Sequence, residues 1–169
     1  MSKKKIAIIA VAVVVVIAAV VAAVLLMPKK VANVEGTLEE IMAKVYAGFG
    51  EDELPMLGDM PVDVTDKDAV EYYLGTSELS IKEALVREPM MGSIPHSVVL
   101  VRLNDAKEAD AAVEKIKASV NPRKWICVEA SNVIVKSKGD LVILIMADTE
   151  MTSAEEAIAP KLEANFDNL

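Results

Sequence analysis

Cysteine and histidine each occur once in this chain of 169 residues, as Cys127 and His96. One cysteine excludes an internal disulfide. One cysteine and one histidine cannot supply the nitrogen and sulfur ligands of a zinc site, so no metal is expected. Basic charge is scarce where it would matter for nucleic acid. Of the 18 Lys and Arg, Lys3, Lys4, Lys5, Lys29 and Lys30 lie in the first thirty positions, where no acid occurs. All 26 Asp and Glu lie beyond position 30, so acids outnumber bases two to one there. No basic face is available to neutralise phosphates, which argues against a nucleic-acid partner. The same acidity repels anionic membranes and wall polymers and keeps the domain soluble.

What is present begins with the apolar run from Ile6 to Met27, which carries no charged residue. At helical rise it reaches about 33 Å, enough to cross a hydrocarbon core of about 30 Å. Lipid forces such a segment to be helical, because its backbone polar groups must be satisfied internally. Pro28 stops the run. Positive charge is denser before the span than after it, which predicts a cytoplasmic N-terminus. A cleaved signal peptide is the rival expectation. The run is longer than the ~7–15 residues of a signal core, and Leu25, Leu26 and Met27 come after Ala22-Ala23 without a polar boundary, so an uncleaved anchor is preferred. No cysteine ends the run for lipid attachment. Both alternatives place the rest of the chain outside the cytoplasm. The expected organisation is a stub and membrane anchor over 1–30, a tether over 31–36, and an extracytoplasmic α+β domain over 37–169.

Periodicity and punctuation predict the elements of that domain. Thr37 and Glu40 form a capping box before a helix over Leu38–Phe49, closed by Gly50. An irregular acidic segment over 51–63 carries Pro55, Gly58 and Pro61. Thr65 is expected to cap a second helix that ends at Leu74 before Gly75. Residues 80–88 lean to strand, and Val98-Val99-Leu100-Val101 reads as a buried strand. The next helix spans 106–120 and is broken by Asn121-Pro122. Short strands are expected over 125–129, 132–136 and 141–146, the last two joined by a tight hairpin at Lys138-Gly139-Asp140. A last helix over 154–166 is expected to start from Thr152 or Ser153 and to be kinked by Pro160. The order α-α-β-β-α-β-β-α predicts a two-layer α/β sandwich with a mostly antiparallel sheet and helices on one face. Its second half allows a ferredoxin-like arrangement.

Two stretches carry a family resemblance: Glu88-Pro89-Met90-Met91-Gly92-Ser93-Ile94-Pro95-His96 with the strand after it, and Asn121-Pro122-Arg123-Lys124-Trp125-Ile126-Cys127-Val128 with the hairpin after it. Together they resemble an uncharacterised bacterial domain-of-unknown-function family of small membrane-anchored or lipoprotein-like extracytoplasmic proteins, frequent in Gram-positive anaerobes. The resemblance spans Leu38 to Ala147 in the order of these features and implies no activity. Many members carry a lipobox cysteine. This chain has the apolar run in its place, which changes the attachment and not the domain.

Few residues carry chemistry. His96 is a candidate general base or pH sensor, with a capping or hydrogen-bonding role as the plainer expectation, and catalysis would need a nucleophile that it orients. Ser97 is adjacent, so on a strand it points to the opposite face. Neither Ser93 nor Ser97 sits in a Gly-x-Ser-x-Gly elbow. Cys127 has apolar neighbours that favour an inert buried thiol, and a pair with His96 is the catalytic alternative. Asp59, Asp63, Asp66 and Asp68 lack the glycine and closing glutamate of a calcium loop. Arg123, Lys124 and Trp125 form the one basic-aromatic cluster, suited to an anionic ligand or a partner. The plainer expectation packs Trp125 in the core while both cations cap the preceding helix. Met90 and Met91 are expected either in a partner groove or as gap-filling core. The leading expectation is a non-enzymatic, membrane-tethered domain that binds a partner protein or ligand at the cell envelope, without a cofactor. The alternative is an envelope hydrolase or transferase using His96 with Cys127 or a serine.

Overall fold

A computed structural model describes residues 32–50, 53–148 and 158–169, all within the unit Ala32–Leu169. Among these residues no helix is long and apolar enough to cross a membrane. The expected span Ile6–Met27 lies outside them. The elements run α1 (Leu38–Val45), β1 (Leu57–Val62), α2 (Lys67–Leu74), β2 (Ile81–Pro89), β3 (His96–Leu103), a 3₁₀ turn (Ala106–Glu108) leading into α3 (Ala109–Ser119), β4 (Asn132–Lys138), β5 (Leu141–Ala147) and α4 (Ile158–Asp167).

Local chemistry accounts for the helix ends. The Glu40 amide donates to Thr37 Oγ1 at 3.3 Å, and the Thr37 amide donates to Glu40 Oε2 at 3.0 Å, completing the capping box of α1. The helix ends at Val45, earlier than its apolar spacing suggests, and Tyr46 is its C-cap. The cap of α2 is Asp66, not Thr65. Asp66 Oδ1 accepts from the amides of Asp68 and Ala69, while Thr65 is held by Asp63. Gly75 closes α2 at φ +74. A Cβ there would lie 2.2 Å from the Ser119 carbonyl oxygen, so only glycine lets α2 end against the end of α3.

The five strands form one sheet in the order β1-β2-β3-β5-β4, and every neighbouring pair is antiparallel. The α+β class and the antiparallel sheet agree with the sequence pattern. The two-layer expectation is corrected. Val98, Leu100, Ile143 and Ile145 pack on one side with Ile41, Met42, Leu162 and Phe166 of α1 and α4. Val99, Val101, Val142, Leu144 and Met146 pack on the other side with Leu74, Ala112 and Ile116 of α2 and α3. Helices therefore cover both faces, and the molecule has three layers. The physical reason lies in β3 and β5, whose apolar runs do not alternate with polar residues and so must be covered twice.

Strands β3 and β4 run in the same direction around α3, with β5 inserted antiparallel between them. This is a split β-α-β unit. β1 and β2 pair directly around α2, so a second interlocking unit of the ferredoxin-like kind is not made.

Three further expectations change. The segment 51–63 contains β1, an edge strand whose Gly58 and Pro61 hide it from propensity. Residues 125–129 are loop, not strand. The Ala130 amide donates to the Pro122 carbonyl, and Cys127 sits at φ +65. The last helix is described from Ile158 and continues past Pro160 to Asp167, while its expected start at 152–154 lies outside the described residues. The predicted hairpin is present. Lys138 pairs with Leu141, and Gly139 holds φ +61 at the first position of a two-residue turn.

Candidate interaction surface

His96 opens β3 and faces the α1/α4 side, where it is buried. Its Nε2 shares a hydrogen bond with the Tyr46 hydroxyl at 2.7 Å. The Arg87 guanidinium lies 4.6 Å from the centre of the Tyr46 ring and pairs with both carboxylate oxygens of Asp59, at 2.5 and 2.6 Å. Burial, together with the smaller effect of the nearby Arg87 charge, pushes the His96 pKa down to about 4. Burial also pushes the Tyr46 hydroxyl above its ordinary range. At neutral pH this is an uncharged hydrogen-bonded pair, not a poised base. A shallow cleft of about 380 Å³ adjoins it, lined in part by Tyr46, Phe49, Leu57, Asp59 and Arg87.

The sheet separates His96 from Ser97. Ser97 faces the α2/α3 side, as strand alternation requires. Trp125, two residues before Cys127, packs on that same side. Cys127 itself is exposed, not buried as its apolar neighbours suggested. His96 and Ser97 thus lie on opposite faces, and the hydrogen bond His96 makes is to Tyr46.

The basic-aromatic cluster resolves into two unlike cations. Arg123 is exposed and pairs with Glu129 at 2.9 Å. Lys124 is buried. Its Nζ forms an ion pair with Glu88 and a 3.2 Å hydrogen bond with Ser97 Oγ. The ring centres of Tyr72, Tyr73 and Trp125 lie 5.0, 4.8 and 5.2 Å from that nitrogen. Burial lowers the lysine pKa, and Glu88 opposes the shift. The Lys124 charge is already matched inside the protein, which leaves it little to offer an outside anion. The plainer expectation holds in part, since Trp125 packs against the α2/α3 core. Lysine beside serine suggests acyl-transfer chemistry, but Ser97 has no exposed surface and the amine is held by Glu88.

Apolar surface gathers beside this caged lysine. Met90 and Met91 are 66% and 71% exposed, so they do not fill the core. The Met90 amide donates to the Met56 carbonyl at 2.9 Å, and Met56 is also 66% exposed. Gly58 pairs with Glu88 and Met60 with Val86. Alternation therefore turns Met60 toward the α2/α3 side, which is also the side of Gly58, and Met56 directly precedes β1 beside Met90. The Met90 side chain lies over Gly58, where an added Cβ would come within 3.0 Å of Met90 Cγ. Met60 and Tyr72 of α2 are also exposed. Ile126, on the loop that carries Lys124, is 79% exposed.

Arg102 and the chain before α1 meet at the opposite end of the sheet. Its guanidinium donates to the carbonyls of Val34 at 2.9 Å and Gly36 at 2.8 Å, and pairs with Glu83 at 2.7 Å and Asp140 at 3.3 Å. Residues 32–36 are strapped down there. Ala32 runs so close to the hairpin that a Cβ on Gly139 would meet its carbonyl oxygen at 2.6 Å.

Sequence reasoning missed Met56, Met60, Tyr72, Glu88 and Arg102. Only the alternation along 56–60 carried a signal for any of them. No group of three or more His, Cys, Asp or Glu among the described residues is disposed to hold a metal. No family model, curated protein or solved structure matches the chain.

Proposed function

We propose that this chain is a membrane-tethered extracytoplasmic domain that binds a partner protein at the cell envelope. The surface around Met56, Met60, Met90 and Tyr72 is its contact region. The observation that carries this is the exposed methionine cluster on the β1–β2 edge. Methionine is soft and conformationally adaptable, which suits a contact surface, and contiguous exposed apolar side chains mark interaction sites. The apolar run at Ile6–Met27 and its flanking lysines support the tether and the orientation. The resemblance to a bacterial family of anchored envelope proteins points the same way. The hydrolase alternative has less behind it, because His96 Nε2 is taken up by Tyr46 and Ser97 lies on the other face of the sheet.

Photo-crosslinking in intact cells tests this. A photoreactive amino acid at position 90 should yield a discrete adduct, and one at Lys82 should not. Protease added outside the cells should digest the domain. Adducts of equal yield at both positions, or a domain protected until the cells are lysed, would overturn the proposal.

A further inference from the structure

The chemistry around the methionine cluster restricts what can dock there. Asp68 and Glu71 of α2 are exposed, one turn before Tyr72 and next to it, with only Lys67 of opposite sign on that helix. The two cations of the loop that carries Ile126 are already matched. Lys124 is paired with Glu88 and Arg123 with Glu129. Asp59 and Arg87 neutralise each other on the other side of the sheet. The surface is thus an adaptable apolar strip with a net acidic border, on a domain whose acids outnumber its bases two to one.

From this charge balance we infer that the partner presents a basic amphipathic segment to the strip, with apolar anchors against Met56, Met60 and Met90 and lysine or arginine toward α2. The inference rests on the binding role proposed above and gives it a partner chemistry. Methionine side chains accept apolar anchors of varied shape, and opposite charge at the border sets orientation and association rate. Like charge disfavours the other occupants. An anionic bilayer is repelled by the acidic border, and a second copy of this chain would set two such borders together.

The test uses the full chain in nanodiscs of zwitterionic lipid, with two fluorescent helical peptides as probes, one of leucine and lysine and one of leucine and glutamate. The leucine–lysine peptide should bind and the leucine–glutamate peptide should not. Met56→Asp combined with Met90→Asp should weaken the first by roughly tenfold or more. That outcome separates docking from simple attraction, because added negative charge alone would tighten a purely electrostatic association. Glu71→Lys should also weaken it, and circular dichroism should show the fold unchanged in both variants. Equal binding of the two peptides would overturn the inference, as would an unchanged affinity in the double methionine variant or self-association of the chain through this strip. If crosslinks from position 90 reach a partner through an acidic segment, the basic-segment inference fails and the binding role stands. If position 90 captures no more than position 82, the binding role itself fails.

Discussion

Tyr46 and His96 bury two polar side chains on one hydrogen bond, and each depends on the other for its partner. Replacing Tyr46 by Phe leaves a buried imidazole nitrogen without that bond, at a cost of about 1–3 kcal/mol. The pair also makes stability depend on pH. The His96 pKa falls from an ordinary 6.5 to about 4 in the folded protein, chiefly through burial. Between those values the unfolded chain binds more protons than the folded one. Stability is therefore full above pH 6.5 and declines as pH falls toward 4, by roughly 3 kcal/mol from this residue. Other groups titrate in the same interval, so the useful quantity is a difference. Denaturant unfolding of the native chain and of His96→Gln should give a stability gap that is flat above pH 6.5 and shifts in favour of the variant below it. A gap independent of pH would show that His96 is not buried in its neutral form.

At the scale of the element, capping signals and unbroken apolar runs were legible. The capping box at Thr37 and Glu40, the glycine after α2 and the hairpin at Gly139 all appear where the pattern places them. What failed depends on distant neighbours. Leu57–Val62 has poor strand propensity and becomes a strand because β2 offers it an edge. Trp125–Glu129 looks like a strand by composition and is loop, shaped instead by Lys124 reaching Glu88, thirty-six positions away. Arg102 was equally hidden, since a charge at the end of an apolar strand reads as the start of solvent. It straps residues 34–36 to the sheet instead. Arg102→Met should release that strap and leave Asp140 without its buried partner, a loss of about 3–5 kcal/mol. Limited proteolysis of the full chain should then show new cleavage between 32 and 36. Arg102→Lys should fall between the two, because an ammonium lacks the rigid fork that spans both carbonyls. Continued protection of 32–36 in the Met variant would mean that the hairpin contact alone holds the strap.

For the whole molecule, the unread consequence of the sequence was the second core. Two layers would leave one face of β5 in water. Three layers bury both, so adjacent residues of one strand belong to different cores: Ile143 to the α1/α4 side and Leu144 to the α2/α3 side. The two architectures predict different outcomes for the same pair of substitutions. In a two-layer protein one of Ile143→Ala and Leu144→Ala would be nearly neutral. In this structure both side chains are fully buried, and each truncation should cost about 2–5 kcal/mol. Because the two face different partners across the sheet, their costs should add to a first approximation. Domains of this size are stable by only about 5–15 kcal/mol, so the double variant should be largely unfolded under conditions where each single variant folds. Urea titrations followed by Trp125 emission read all four states, since Trp125 packs against one core and reports its loss. Parallel titrations by circular dichroism show whether the α1/α4 side unfolds with it. A near-neutral Leu144→Ala would refute the second core, and with it the packing that holds α2 and Tyr72 beside the methionine strip.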